Sequence, residues 1–253
     1  MHALITGASS GLGEAMARHF AAAGWSLTLV ARRKATLDAL ANEFQTPTHV
    51  IGADLSNLDR AVEVIAESQQ ALGPIDALIN NAGVQYVEPT AGISHERSEL
   101  LFKVNLLAPM RLIHEVLPTM LERRSGTIVN ISSMAGITPT PGMCHYNASK
   151  AGLAAASESL RVELADSGVH ILTVYPGPVT TPMETAARDS FTPHWAVRNV
   201  PTGTPEGMAK LVLSGILKKT PRIFYPRVYG MARHTRVLSQ WVTDTFAPPL
   251  KDE

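Results

Sequence analysis

The sequence has one cysteine, no excess of charge and no long hydrophobic run, and each absence excludes a class of protein. Cys144 has no second cysteine with which to pair, so a disulfide-stapled secreted scaffold is excluded. Twenty-two basic residues balance 22 acidic ones, which argues against a nucleic-acid binder or a polybasic membrane anchor. No window of about 18 apolar residues predicts a transmembrane helix. The first residues show no signal-peptide pattern, so the expected location is the cytoplasm.

What the chain does contain is enough apolar sequence for one large domain. It has 253 residues, of which 45% are hydrophobic and 17% are charged. This composition excludes a disordered chain, and the length alone permits one α/β domain or two small ones. No linker rich in proline, glycine and serine divides the chain. We therefore expect a single domain over residues 1–253.

Short apolar runs alternate with amphipathic stretches along the chain. Seven strands are predicted, at Ala3–Thr6, Ser26–Ala31, His49–Ala53, Ala77–Asn80, Thr127–Ser132, His170–Tyr175 and Arg222–Tyr225. Helices are predicted between them, at Leu12–Ala23, Lys34–Phe44, Asn57–Leu72, Glu96–Glu122, Tyr146–Asp166 and Pro205–Leu217. The alternation predicts an α/β fold with a doubly wound parallel seven-stranded sheet and helices on both faces.

Two segments do not follow this alternation. Residues 181–204 read as a long loop containing Pro182, Pro193 and Pro201, and a loop of this length is typical of a lid over a substrate site. Residues 227–246 read as a helical extension in which arginines are interspersed among apolar residues. The extension is expected to pack on its own domain or on a second copy, or else to lie on a partner protein or a lipid surface.

A glycine-rich turn follows the first predicted strand, with the sequence Thr6-Gly7-Ala8-Ser9-Ser10-Gly11-Leu12-Gly13. Glycine allows a sharp turn and a close approach to a ligand, and the helix that follows presents free N–H groups to a phosphate. In doubly wound sheets the ligand crevice lies at the carboxyl ends of the strands. The turn therefore predicts a dinucleotide site that uses Gly7, Ser9, Ser10, Gly11, Leu12 and Gly13.

The end of the second predicted strand indicates which cofactor is preferred. An NAD site usually places a carboxylate there to bind the ribose 2′-hydroxyl. Here the position reads Ala31-Arg32. A guanidinium binds a 2′-phosphate bidentately, so Arg32 predicts NADP(H). An NAD-linked enzyme is the alternative.

Tyr146 and Lys150 are four residues apart at the start of a predicted helix, and this spacing puts them on one face. A nearby ammonium lowers the pKa of a tyrosine from about 10 toward the range that a general acid/base needs. Ser133 follows a predicted strand 13 residues upstream of Tyr146 and is placed to hydrogen-bond a substrate oxygen as charge develops on it. The three residues predict proton transfer at a carbonyl or alcohol oxygen.

Taken together and in this order, the motifs resemble those of the short-chain dehydrogenase/reductases. The matching residues span nearly the whole chain and are Thr6-Gly7-x3-Gly11-x-Gly13, Asp54-Leu55, Asn80-Asn81-Ala82-Gly83, Asn105, Ser133, Tyr146-x3-Lys150 and Pro176-Gly177 with Thr181. The resemblance implies a Rossmann fold and an oxidoreductase that transfers hydride between NADP(H) and a ketone, an aldehyde or a secondary alcohol. It also implies a homodimer or homotetramer.

The resemblance assigns roles to individual residues. Tyr146 would exchange the proton at the substrate oxygen and Ser133 would orient the carbonyl. Lys150 would bind the nicotinamide ribose and lower the pKa of Tyr146, and Asn105 would hold a water in a proton relay to Lys150. The other implied cofactor-binding residues are Asp54, Leu55, Asn81, Gly83, Val179 and Thr181.

The residues expected around the substrate are mostly apolar, which suits a small hydrophobic carbonyl or alcohol. They are Val84–Tyr86, Met134–Ile137, Met143, Met183, Phe191 and Trp195. No metal is expected, because the nine histidines show no ligand spacing. The alternative to an enzyme is a non-catalytic NADP(H)-sensing regulator on the same scaffold, although a sensor does not need a proton donor such as Tyr146.

Overall fold

Seven parallel strands form the centre of the molecule. In the computed structural model, which describes residues 1–192, 200–231, 235–246 and 250, they occur in the order β3-β2-β1-β4-β5-β6-β7. The strands are β1 (His2–Thr6), β2 (Ser26–Ala31), β3 (Thr48–Gly52), β4 (Ala77–Asn80), β5 (Gly126–Ile131), β6 (Val169–Pro176) and β7 (Arg222–Tyr225). Of the predicted loop and extension, Pro193, Trp195 and Arg233 lie outside the described residues.

Helices cover both faces of this sheet. They are α1 (Gly11–Ala22), α2 (Lys34–Ala41), α3 (Leu58–Leu72), α4 (His95–Phe102), α5 (Ala108–Glu122), α6 (Cys144–Glu163), α7 (Pro182–Asp189), α8 (Pro205–Leu217) and α9 (Arg236–Phe246). A π-helical turn spans Lys103–Leu107, and 3-10 turns span Met134–Gly136 and Arg227–Tyr229. The structure thus confirms the predicted doubly wound α/β fold of the Rossmann type. None of the helices in the described ranges is long and apolar enough to cross a membrane.

Two apolar layers sandwich the sheet, because successive side chains of a strand point to opposite faces. Ala3 and Ile5 of β1 pack with α1, α2 and α8, whereas Leu4 packs with α3 and α5. All three side chains are fully buried. Burial on both faces explains why these strands read as continuous apolar runs.

The predicted helix over Glu96–Glu122 is divided by the π-helical turn. Ala108 N–H donates to the Lys103 carbonyl, a five-residue step instead of the four-residue step of an α-helix. Pro109, in the first turn of α5, has no N–H to donate to the carbonyl four residues earlier, so a regular α-helix loses that hydrogen bond. The division changes which way the two halves face.

The predicted loop over residues 181–204 contains a helix, α7. Thr181 caps it, since its hydroxyl oxygen accepts a hydrogen bond from Glu184 N at 3.2 Å, and Pro182 occupies the first turn. Threonine at the cap followed by proline is a recognised start of a helix. The signal was therefore present in the sequence, although the prediction treated the segment as a loop.

A buried histidine lies at the amino end of the sheet. The ring of His2 is 3% exposed, with Nε2 2.9 Å from Thr28 Oγ1 and Nδ1 3.0 Å from the Gly73 carbonyl. Ser68 Oγ donates to Thr28 Oγ1 at 2.8 Å, which completes the network. A neutral ring satisfies both nitrogens. Burial lowers the pKa of His2, partly opposed by the carbonyl of Gly73.

We expect the free energy of unfolding to fall as the pH is lowered from about 7 to about 5.5. The unfolded ring takes up a proton near its ordinary pKa of about 6.5. The folded ring stays neutral to lower pH because burial lowers its pKa, so its stabilising contribution is complete above about pH 6.5 and is lost below it. In urea titrations His2→Asn should show a shallower pH slope, by at most about 1.4 kcal/mol per pH unit. Equal slopes in both proteins would contradict this account.

Candidate active site

A cavity of about 870 Å³ lies at the carboxyl ends of the strands. Its walls include the segments that follow β1, β2, β4, β5 and β6, represented by Gly7, Arg32, Asn81, Ser133 and Gly177. This is the edge of an open α/β sheet at which ligands bind. The volume lies within the range of sites for small molecules and cofactors.

The glycine turn after β1 needs glycine for two different reasons. Gly7 has a φ of +67° and Gly11 a φ of +58°, a backbone region that disfavours other residues. A Cβ at Gly13 would overlap the carbonyl oxygen of Gly7. Ser10 precedes α1 without capping it through its side chain. The first turn of α1 thus has no side-chain cap, and its residues Gly11 and Leu12 line the cavity, as a phosphate site requires.

Asn81 holds this turn in place. Its Nδ2 donates to the Thr6 carbonyl at 2.9 Å, and its backbone N–H donates to Thr6 Oγ1 at 3.0 Å. Ala82 N donates to the same hydroxyl oxygen at 3.0 Å. Asn81 lines the cavity as well, so its predicted contact with the cofactor would come in addition to this bracing role.

The far end of the cavity brings together the predicted adenosine residues. Arg32, Asp54 and Leu55 all line it. Asp54 Oδ1 accepts a hydrogen bond from Ser56 N at 2.9 Å. Arg33, to which the sequence prediction gave no role, donates from Nη2 to Ser9 Oγ at 3.1 Å and to the Ser9 carbonyl at 3.2 Å. Arg33 therefore positions the glycine turn, and the two arginines concentrate positive charge beside it.

The predicted catalytic residues meet near the middle of the cavity. Ser133 follows β5, while Tyr146 and Lys150 lie on the first turns of α6, and all three line the cavity. Tyr146 is 8% exposed and Lys150 is 5% exposed. Ser133 Oγ donates to the Pro176 carbonyl at 3.5 Å and accepts a hydrogen bond from Ala135 N at 3.1 Å. Lys150 Nζ donates to the Ile131 carbonyl at 2.9 Å and lies 5.9 Å from the centre of the Tyr146 ring.

Burial is the main influence on the pKa values of Tyr146 and Lys150. It raises the pKa of Tyr146 to about 12, against a lowering by the nearby Ser133 side chain and with a smaller contribution from the charge of Glu184. Burial lowers the pKa of Lys150 to about 8. The expected lowering of the tyrosine pKa is therefore not what this structure produces, because burial disfavours the charged phenolate and outweighs the other influences. Tyr146 therefore carries its proton at neutral pH.

Asn105 lies in the π-helical turn and is fully buried. Its Oδ1 accepts from Val84 N at 2.8 Å, and its Nδ2 donates to the Val84 carbonyl at 2.9 Å and to Ser149 Oγ at 3.1 Å. Ser149 Oγ in turn donates to the Tyr146 carbonyl at 2.8 Å. The side chain therefore ties the segment after β4 to α6. Sequence reasoning did not single out Ser149, because only the fold brings it to Asn105.

Gly83 is the point at which the segment after β4 passes the catalytic residues. A Cβ there would lie 3.3 Å from Asn105 Oδ1 and 3.5 Å from Lys150 Nζ. Val179 and Thr181 line the cavity from the other side, and the backbone of Val179 bridges to Gly203. The proposed contacts of these residues with a cofactor remain predictions.

The substrate end of the cavity is less apolar than expected. Of the predicted lining, Val84, Gln85, Met134, Ala135, Met143, Met183 and Phe191 take part. Tyr86 instead packs beside Leu101, and Trp195 lies outside the described residues. A charged pair was missed: Arg188 Nε lies 2.8 Å from Glu184 Oε1. The lining also includes Tyr229, Leu238 and Thr243 from the C-terminal extension.

A family model described as short chain dehydrogenase matches residues 1–191. The chain belongs to the short-chain dehydrogenase family. A ketoacyl reductase of Nostoc sp., HetN, is 36% identical over 224 residues, which cover 87% of this chain and 76% of that protein. The family membership that the motifs indicated is thereby confirmed.

Solved structures of the family extend the similarity over nearly the whole chain. A short-chain dehydrogenase from Sphingobium yanoikuyae, solved in complex with NADPH, is 30% identical with a TM-score of 0.81, and the match covers 96% of this chain and 94% of that one. A bulky-bulky ketone specific alcohol dehydrogenase from Comamonas testosteroni is also 30% identical, with a TM-score of 0.79 and coverage of 96% and 93%. The oxidoreductase class of the chain is shown by this family membership.

We expect Asn105→Ala to lower the free energy of unfolding by about 2–3 kcal/mol, because the partly buried N–H and carbonyl of Val84 both lose their partner. Ser149→Ala removes the two hydrogen bonds of its hydroxyl but leaves both groups of Val84 paired, so it should cost less, about 1 kcal/mol. Chemical denaturation of both variants checks this order. A smaller loss in Asn105→Ala than in Ser149→Ala would show that Asn105 does not join the two segments.

Proposed function

We propose that the chain is an NADP(H)-dependent reductase of ketones or aldehydes, with Tyr146 as the proton donor. The observation that carries this proposal is the buried Tyr146, which lines the same cavity as Ser133, Lys150 and the glycine turn. A tyrosine whose pKa is raised to about 12 holds its proton at neutral pH, as the reduction of a carbonyl requires. The reverse reaction needs the phenolate, which this environment disfavours.

The residues around the glycine turn fit NADP(H). The turn and the start of α1 would hold the pyrophosphate, and Arg32 would bind the 2′-phosphate beside Ser9 and Ser10. Asp54, Leu55 and Asn81 would contact the adenosine half. Gly83, Lys150, Val179 and Thr181 would bound the nicotinamide half. Two relatives in solved structures support this assignment, since one holds NADPH and another holds NADP.

When bound, NADPH supplies the hydride that the carbonyl carbon accepts. The chain has to position the substrate, stabilise the developing charge and deliver a proton. Ser133 Oγ donates a hydrogen bond to the carbonyl oxygen, and the Tyr146 hydroxyl gives its proton to the same oxygen. Lys150, held by the Ile131 carbonyl, places a positive charge beside the tyrosine as that proton leaves. Asn105 would hold the water that returns a proton through Lys150.

The apolar part of the lining suggests a hydrophobic substrate. Met134, Met143, Met183 and Phe191 line the space near Tyr146, and methionine side chains adapt to several shapes. A ketone-specific alcohol dehydrogenase among the structural relatives is consistent with a carbonyl or secondary alcohol.

We also propose that residues 1–253 form one domain and that two copies pair through α5 and α6.

We expect Tyr146→Phe to lower kcat for NADPH-dependent carbonyl reduction at least about a hundredfold, because general acid catalysis contributes about 10²–10⁴. NADPH affinity, measured by fluorescence titration, should change little. Tyr175→Phe is the matched control, since Tyr175 is equally buried but its hydroxyl donates to Glu158. A panel of ketones and aldehydes supplies the substrates. Turnover that survives Tyr146→Phe would overturn the mechanism. Tight NADPH binding by the unaltered chain, without turnover of any compound on the panel, would favour a non-catalytic NADP(H)-sensing regulator.

We expect Arg32→Asp to lower the ratio of kcat/KM for NADPH over NADH by about 10–100-fold. Loss of a charged hydrogen bond to the 2′-phosphate costs about 1.5–3 kcal/mol, and the carboxylate adds repulsion. Lys210→Asp, at an exposed position on α8 away from the cavity, controls for the change in total charge. An unchanged ratio in Arg32→Asp would refute the assignment of NADP(H) through this residue.

A further inference from the structure

Large apolar side chains are exposed in one short stretch near the C-terminus. Within the described residues eleven such side chains are exposed, and five of them fall between residues 228 and 241. They are Val228 (54% exposed), Met231 (69%), Val237 (87%), Leu238 (58%) and Trp241 (56%), and we call them the apolar patch. Single exposed apolar residues are normal on a protein surface, whereas a cluster marks a surface that contacts something apolar.

The patch adjoins the mouth of the cavity. Val237, Leu238 and Trp241 lie within one turn of α9, and spacings of three and four residues place Leu238 and Val237 next to Trp241. Leu238 lines the cavity although it is more than half exposed, so it stands at the rim. Met183 of α7 lines the cavity and is also exposed, at 40%. An apolar surface therefore continues from the outside of α9 into the space that contains Tyr146.

The sequence of residues 227–246 favours one of two partners. The sequence over residues 227–246 contains Arg227, Arg233 and Arg236 against one acidic residue, Asp244. In a two-fold contact between copies of the chain, this positive segment would face itself. An anionic lipid surface offers the complementary charge, and an amphipathic helix with arginine and tryptophan is suited to the interface of a bilayer.

We propose that the apolar patch docks on an anionic lipid bilayer with the mouth of the cavity toward the lipid. The apolar side chains enter the interface, and the net positive charge of residues 227–246 attracts the anionic headgroups. The cavity then takes its carbonyl substrate from the bilayer instead of from water. This last consequence rests on the proposed function, whereas the docking itself does not.

Flotation with lipid vesicles tests the docking. The chain should bind vesicles of phosphatidylcholine with about 30% phosphatidylglycerol, should bind pure phosphatidylcholine weakly, and should be released by about 0.5 M NaCl. The double variant Val237→Gln/Trp241→Gln should partition at least about tenfold less. Leu217→Gln is the control, since Leu217 at the end of α8 is 60% exposed but lies outside the patch.

Three results would overturn the proposal. They are an absence of wild-type binding to the anionic vesicles, an equal loss of binding in Leu217→Gln, and conversion of a dimer to a monomer by the double variant without any wild-type vesicle binding. Reduction of a water-soluble aldehyde without vesicles should be unchanged in the double variant, because Val237 and Trp241 do not line the cavity. The vesicle assay needs no turnover, so a failed reductase assay and a failed flotation assay are separate outcomes.

Discussion

The site depends on a pair of reciprocal hydrogen bonds that fastens β5 to α6. Lys150 Nζ donates to the carbonyl of Ile131, and Ser132 Oγ donates to the carbonyl of Lys150 at 2.8 Å. Each bond is buried, so its loss leaves polar groups without water. Ser133 directly follows Ser132 in the chain, and Tyr146 lies one helical turn before Lys150. The fold therefore places both side chains in the wall of one cavity before any ligand arrives.

Because the site is buried, the protonation of its residues is decided by desolvation as much as by neighbouring charge. Tyr146 is kept as a neutral hydroxyl, and the ammonium of Lys150 has to be offset by a carbonyl dipole. Glu184 adds a partly buried carboxylate, whose pKa is raised by its own burial. At neutral pH Tyr146 is therefore protonated, which is the form that the proton donor of a reductase needs before it acts.

How much the sequence could predict depends on whether a feature is set by a local pattern or by contacts between residues that are distant in the sequence. The fold and the bounds of β2, β4 and β7 were predicted correctly, because apolar periodicity is local. The residues lining the cavity were largely foreseen, because they form motifs at fixed spacing. Arg33 and Ser149 were missed since their roles come from contacts with Ser9 and Asn105 that are distant in sequence. The pKa of Tyr146 is raised where a lowering was expected, because four-residue spacing says nothing about burial.

The π-helical turn rotates α5 about the helix axis relative to α4, and without this turn the two would form one continuous helix. An α-helix advances about 100° per residue, so one extra residue in a turn rotates everything after it by about that angle. Leu101 before the turn faces the cluster around Tyr146, whereas Leu112 and Val116 after it face the sheet. In an uninterrupted α-helix Asn105 would share the stripe of Leu112, seven residues later. Removing a single residue from this turn would rotate α5 relative to α4. Either the packing of α5 on the sheet or the position of Asn105 in the site would then be lost.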